Sequence, residues 1–342
     1  METEIKALND RDVWELVDLP QNRKPIKCRW VYDIKTDGRK RGRLVAKGFS
    51  QIPGIDFEET FSPVARFETV RLLLALSVLE DWEIEALDVK TAFLYGNLDE
   101  ELYMEQPEGF VVKGQEKKVY KLKKALYGLK QAAIAWNKQA NKSLTKLGFK
   151  RCLSDTGIYT LTQNNHTLVV VLYVDDVLFM GNNMLLLKEK KNAFMKMWEC
   201  RDLGPISEYL RMKIVRDRNS KKLIIDQIDY AKKVVERFGQ QNAKPTYVPL
   251  PVGYQPKANE GTAKPEQRSY YQSIIGSLLY LALGTRPDLV HAVIMMSQFM
   301  VNPSEDHINK GLHIVHYVNM NLLCFACDVT ESRHTYVLTR TI

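Results

Sequence analysis

Asp175 and Asp176 stand side by side in the run VVVLYVDDVLFMG, residues 169–181, with apolar residues on either side. Two carboxylates placed together between apolar strands lose hydration and repel one another unless a cation compensates them. Adjacent carboxylates at a strand end, joined by one from a neighbouring strand, suit a hard divalent ion such as Mg²⁺, which keeps several waters and binds substrate phosphates. Such a centre needs a third carboxylate, and Asp88 in EALDVKTAFLYG is the candidate, at the end of an expected strand. Both positions also have ordinary readings. Aspartates are common in hairpin turns, where they tolerate the left-handed conformation, and a lone Asp ahead of KTAF is a natural helix N-cap.

The elements that must position these residues are legible in outline. CRWVYDIKTDGRKRGRLVAKGF predicts two strands around a polar turn at Asp37 and Gly38, with Arg39, Lys40, Arg41 and Arg43 crowding the second. ETVRLLLALSVLEDW has helical spacing, with Val70, Leu73, Leu74, Ser77 and Val78 on one face. The strand EIEALDV follows, and KTAFLYG turns into a short helix. A helix is expected from about Lys130 to Gly148. Then come the strand, turn and strand of LVVVLYV, DD and VLFMG, and a helix through LLLKEKKNAFMKMWE. A strand pair, ISEYLRMKIVRD and KKLIIDQ, precedes the amphipathic helix DYAKKVVERFG. From about 240 to 268 a proline-punctuated connector cannot continue that helix, and three further helices follow it. The expectation is a mixed α/β body to about residue 225 and a helical part after it, without internal repeats.

Composition sets wider bounds. The chain has 342 residues, 45% hydrophobic, which is enough for a sizeable core. Its formal charge of +8 favours a polyanionic partner. Five scattered cysteines argue against a disulfide framework and for a reducing compartment. CFAC, at Cys324 and Cys327, with His313, His316 and His334 nearby, has one cysteine pair and irregular histidine spacing, which disfavours zinc. The acidic, polar start is unlike a secretory signal, and no apolar run approaches the roughly 20 residues needed to cross a bilayer. An intracellular protein with no membrane partner is expected.

The blocks RLVAKGFSQ, IDFEETFSPVARF, LDVKTAFLYG, LYMEQPEGF, KLKKALYGLKQA, YVDD, DLGPISEYL and TRPD together resemble the reverse transcriptase of copia-type long-terminal-repeat retrotransposons, from about Trp14 to about Tyr317. The resemblance implies an α+β right-hand polymerase, with fingers and an antiparallel palm sheet in residues 1–225, a helical thumb or connection in 226–320, and a diverged tail in 321–342. It implies two Mg²⁺ ions, or Mn²⁺, held by Asp88, Asp175 and Asp176 with the backbone carbonyl of Val89. Asp88 and Asp175 are the bridging ligands by this analogy. The partners implied are an RNA template, a DNA or RNA primer and deoxynucleoside triphosphates, and the setting is a cytoplasmic virus-like particle of the parent element. Oligomeric state is left open.

Further roles carry over one residue at a time. Phe93 matches the aromatic gate that crowds a ribonucleotide 2′-hydroxyl, against core packing as its plainer reading. Arg43 and Lys47 match contacts to triphosphate oxygens, although alternating cations also make a solvated strand face. Gln131 matches a glutamine near the incoming nucleotide. Lys117, Lys118, Lys121, Lys123, Lys124, the arginines of the second strand, Arg211, Lys232 and Lys233 are candidates for nucleic-acid contacts, against a merely soluble face.

Three departures stand against this pattern. The segment between Asp37 and Arg43 is shortened, and Arg211 occupies a usual glycine position in the hairpin that grips the primer, where a side chain obstructs close approach. No ribonuclease H, capsid, protease or integrase region follows or precedes, so a fragment of a polyprotein is expected. Two functions remain: RNA-directed DNA polymerase, or an inactive remnant or domesticated protein that binds nucleic acid.

Overall fold

The computed structural model describes residues 1–34, 38, 40–244, 246–330 and 333–340, with side chains described through residue 322. The expected turn at Asp37 and the side chains of Cys324, Cys327 and His334 therefore lie outside the described residues. In chain order the elements are α1 (Glu2–Asp10), β1 (Trp14–Val17), β2 (Cys28–Ile34), β3 (Lys40–Ala46), α2 (Phe67–Leu79), β4 (Glu83–Val89), β5 (Asn97–Met104), β6 (Val119–Lys124) and α3 (Ala132–Lys146). There follow β7 (Lys150–Arg151), β8 (Ile158–Gln163), β9 (His166–Tyr173), β10 (Asp176–Gly181), α4 (Met184–Met197) and β11 (Cys200–Pro205). The last part holds β12 (Glu208–Tyr209), β13 (Met212–Asp217), β14 (Lys222–Asp226), α5 (Ile228–Arg237), α6 (Pro265–Gly284), α7 (Val290–Ser297), α8 (Glu305–Met320), β15 (Leu323–Thr330) and β16 (Arg333–Arg340).

The chain forms two compact units, one of Met1–Arg66 with Glu85–Gly204, the other of Phe67–Ile84 with Pro205–Ile342. In the second unit β12 to β14 make a sheet with the later strands, β15 pairing with β14 and β16 with β15.

In the first unit the main sheet has the order β11-β4-β10-β9-β8-β7, beside a β1-β6-β5 sheet and the β2–β3 hairpin. The apolar runs of β9 and β10 have a direct cause. Val169 and Val171 are buried on one face while Val170, Leu172, Val177 and Phe179 pack on the other with Trp136, Ala140 and Leu144 of α3 and Leu187 and Phe194 of α4, so neither face of the pair alternates with polar residues. One charged group is sealed under this sheet. Lys191 of α4, 3% exposed, bonds Glu85 of β4, 5% exposed, and Asp202 of β11 at 2.6 Å.

In the second unit α5 to α8 share a core that includes Val234, Tyr271, Ile274, Leu278, Val293 and Ile314. The proline-punctuated connector carries no helix or strand among its described residues up to Lys264, after which α6 begins, and is pinned to α8. His313 is in hydrogen-bond contact with Thr246 and Val248, His316 with Gln240, and Tyr254 donates to Asp306. Two histidines of the disfavoured zinc set are thus already engaged. The run ISEYLRMKIVRD is a hairpin rather than one strand: Tyr209 pairs with Met212 across the two-residue loop Leu210–Arg211, and both loop residues have positive φ, 49° and 61°. Those signs define a type I′ turn, which favours Asn-Gly because a side chain in the left-handed region crowds its carbonyl.

Two stability effects follow. Lys191→Met strands the buried Glu85 carboxylate, and chemical denaturation should register a loss of about 3–5 kcal/mol. Arg211→Gly removes one strained left-handed side chain, and the same measurement should register a gain of about 1 kcal/mol; a loss would show that the Arg211 side chain stabilises the hairpin.

Candidate active site

The hairpin between β9 and β10 closes with Tyr173 paired to Asp176, so the two-residue turn is Val174–Asp175 and Asp176 already belongs to β10. The expected turn at Asp175–Asp176 is displaced by one residue. Only the first turn residue, Val174, has positive φ, 55°, the sign pattern of a type II′ turn. That position prefers glycine, and a β-branched residue there is strained. Two contacts hold it. The Trp136 indole donates to the Val174 carbonyl at 2.7 Å, and the Val89 amide donates to the Asp175 carbonyl at 2.8 Å. Trp136 is itself wedged against Tyr95 and Trp198, with ring centroids 5.9 and 5.2 Å away.

The second contact brings the turn to Asp88, the residue before Val89 at the end of β4. Two residues beyond Val89, Thr91 is again β-branched at positive φ, 53°, and leads into a single 3-10 turn, Ala92–Tyr95, that carries Phe93. α3 can approach this turn because residue 96 is glycine: a Cβ there would stand 2.7 Å from the Ala135 Cβ.

Asp175 keeps part of its surface in solvent, yet the protein crowds its carboxyl. Burial raises its pKa above the usual carboxylate value and the charge of Asp88 raises it further, while its own backbone amide, Arg43 and Arg41 act to lower it. Asp176 is half-buried at the start of β10. Among the described residues no three carboxylate, histidine or cysteine groups converge into a metal cage. Of the expected ligands, Asp88 and Asp175 lie near enough that the charge of the first acts on the carboxyl of the second. This fits Mg²⁺, which binds through one or two carboxylates and completes its shell with water and substrate oxygens. Val89 enters the site through its N–H.

Around this pair the other expected residues separate into those brought near and those not. Phe93 is half-buried and meets Tyr127 edge to face, with centroids 5.1 Å apart at 69°. The Arg43 guanidinium lies 5.9 Å from the Tyr127 ring centroid and 3.8 Å from Asp33, and its Nε is buried without a hydrogen-bond partner. Arg41, two positions before Arg43 on β3, acts on the same carboxyl. Lys47 does not: its charge acts on the Cys28 thiol, which burial nevertheless pushes up to about 11.

Gln131 is buried. It is 2% exposed, accepts from Gln51 at 2.9 Å and donates to the Asp56 carbonyl at 2.8 Å, so its amide is spent inside the fold. The lysines of β6 are also engaged internally. Lys121 pairs with Glu101, Lys123 with Asp12 and Glu15, and Lys124 donates to the Arg11 carbonyl. Lys117 and Lys232 are exposed and Lys118 is half-exposed. Arg211 and Lys233 line a cavity of about 660 Å³ in the second unit, shared with Lys213, Arg237, Glu208 and Asp226. Sequence reasoning missed Tyr127, whose hydroxyl pKa is raised by burial and by Asp175. Its signal was its place in ALYGLKQA, one of the blocks that carried the resemblance.

Comparison with known proteins shows the family of the chain. A family described as reverse transcriptase (RNA-dependent DNA polymerase) matches residues 11–252. The chain belongs to the reverse transcriptase family. It is similar to the retrovirus-related Pol polyprotein from transposon TNT 1-94 of Nicotiana tabacum, 40% identical over 346 residues, covering 95% of this chain and 26% of that protein. The corresponding polyprotein from transposon RE2 of Arabidopsis thaliana is 37% identical over 324 residues, covering 93% of this chain and 22% of that one. These relatives place the chain in the copia type, and it spans about a quarter of their length. The solved foamy viral protease-reverse transcriptase in complex with double-stranded DNA matches 93% of this chain and 48% of its own, with 12% identity and a TM-score of 0.45.

Trp136→Phe keeps a ring in the cluster but leaves the Val174 carbonyl without its donor. A loss of about 1–3 kcal/mol in chemical denaturation is expected, and an unchanged midpoint would show that the turn holds itself.

Proposed function

We propose that this reverse transcriptase chain catalyses RNA-directed DNA synthesis, joining deoxynucleoside triphosphates to a primer 3′-hydroxyl. The observation that carries the reading is the convergence of Asp88 and Asp175, held by the Val89–Asp175 backbone bond, with Arg41 and Arg43 acting on the same carboxyl and Phe93 on the adjoining turn. In this reading residues 1–225 supply fingers and palm, and the helices after them the thumb.

Asp88 and Asp175 hold the divalent ions, with Asp176 the more peripheral carboxylate. Bound there, Mg²⁺ supplies Lewis-acid stabilisation of the attacking and leaving oxygens. The protein's own part is positioning and charge. Arg43, paired with Asp33 only at 3.8 Å, takes triphosphate oxygens, and Arg41 adds positive charge on the same strand. Phe93 places its ring where a 2′-hydroxyl would project and so favours deoxyribonucleotides. In the second unit, the cavity cations Arg211, Lys213, Lys233 and Arg237 suit sequence-independent contact with nucleic-acid phosphates.

One observation favours the second reading, nucleic-acid binding without synthesis: the type I′ turn at Leu210–Arg211 carries two side chains where the hairpin expected to hold the primer favours glycine. Primer extension on an RNA template with Mg²⁺ and deoxynucleotides separates the two. Asp88→Asn and Asp175→Asn should each lower extension on the order of a thousandfold or more, given several kcal/mol of metal-borne stabilisation. No extension by the wild type, with salt-sensitive primer–template binding and extension restored by Arg211→Gly, would assign the defect to the hairpin. Full activity in Asp175→Asn would remove the mechanism.

A further inference from the structure

We infer that Tyr127 is a positioning residue for sugar discrimination, acting through Phe93 and Arg43; this rests on the polymerase reading above. Tyr127 lies between the two side chains that the reading assigns to the nucleotide. Its ring meets Phe93 edge to face at 5.1 Å, and the Arg43 guanidinium stands 5.9 Å from the same ring. No other residue among those described has ring contacts with both.

The backbone around Tyr127 is fixed more firmly than a loop between β6 and α3 requires. Its carbonyl accepts from the Ala46 amide at the end of β3 at 2.8 Å. Gly128, at φ 92°, permits this approach, since a Cβ there would stand 2.1 Å from the Ala46 carbonyl oxygen. Beyond it, the Lys130 amide donates to the Gln51 side chain at 2.8 Å, and Gln51 donates to the buried Gln131. Gln131 therefore serves the site at one remove, by clamping the Tyr127 loop to the segment after β3. Phe93 packs against the edges of two apolar clusters, and Tyr127 is its ring partner. Phe93 sits on a four-residue 3-10 turn, and a half-buried ring there can swing unless a neighbour blocks it. A gate that swings no longer crowds a 2′-hydroxyl. Arg43 is in the same position: with its Nε unpartnered and Asp33 at 3.8 Å, the Tyr127 face is a principal restraint on the guanidinium plane.

The consequence is that the tyrosine ring, and not its hydroxyl, sets selectivity. The test is single-nucleotide extension with matched ribo- and deoxyribonucleotides, resolving kcat and KM for the wild type, Tyr127→Phe, Tyr127→Leu, Phe93→Ala and the double variant Phe93→Ala/Tyr127→Leu, with nucleotide affinity measured separately on a dideoxy-terminated primer. Tyr127→Leu should raise the ribo-to-deoxy ratio of kcat/KM by roughly three- to tenfold, the worth of one aromatic edge-to-face contact. It should raise the deoxynucleotide KM with kcat largely kept. Tyr127→Phe should retain the wild-type ratio, and the double variant should discriminate no worse than Phe93→Ala alone, since the tyrosine acts through the gate. Tyr127→Met, which fills the space without a ring, carries the test if the leucine variant does not fold. An unchanged ratio in a folded, active Tyr127→Leu or Tyr127→Met overturns the inference, as does equal loss in Tyr127→Phe. A wild type that neither extends a primer nor binds nucleotide overturns the polymerase reading first, and this inference with it.

Discussion

The hydrogen bond from the Trp136 indole to the Val174 carbonyl is the contact on which the candidate site depends. The β9–β10 turn places a valine where the backbone favours glycine, so left alone it would relax into another loop and carry Asp175 elsewhere. The indole stops that by giving the turn a buried partner that no solvent-exposed alternative offers. For the same bond to form, α3 must lie close to the turn that bears Phe93, which explains the glycine at position 96 and the packing of Tyr95, Trp136 and Trp198 into one aromatic cluster. One donor therefore ties the sheet, the helix and the gate together.

Charge adds a second constraint of opposite sign. Asp88 and Asp175 are held near each other by backbone geometry, the Val89 amide on the Asp175 carbonyl, rather than by any attraction between them. Two arginines on β3 offset the repulsion only in part, and the Asp175 carboxyl is left above its ordinary pKa. A fold that holds like charges together at the cost of local stability is preorganised for a cation. The sealed Glu85–Lys191 pair treats its carboxylate differently: there the lysine is supplied by the protein, and nothing remains for a ligand to satisfy.

Much of this was legible from the residues. The apolar runs either side of YVDD do form paired central strands, EIEALDV is one strand with Asp88 next to its end, and α3 ends two residues before the expected Gly148. Where the reading slipped, the cause was tertiary. The turn moved by one residue because the closing pair Tyr173–Asp176 is set by side-chain facing along both strands, which local turn preferences do not specify. The internal bonds of Gln131 could not be read locally, since its partners Gln51 and Asp56 lie 80 and 75 residues away in the chain. The acids beside Lys121 and Lys123 are likewise tertiary, Glu101 coming from β5 and Glu15 from β1. Tyr127 was passed over since an aromatic in a turn reads as packing, which is in part what it does.

The excursion of Phe67–Ile84 into the second unit has a consequence for how the chain is made. α2 buries Val70, Leu74 and Val78, and its last turn is capped by Arg216, which donates to the Ser77 and Trp82 carbonyls. On a ribosome those partners emerge later by roughly 140 residues, a delay on the order of ten to thirty seconds at ordinary elongation rates. Through that interval the first unit can be assembling around an apolar helix that has no place in it. The chain's order of synthesis and its order of folding are therefore out of step, and the segment at 67–84 is where a nascent chain would most need shielding from aggregation.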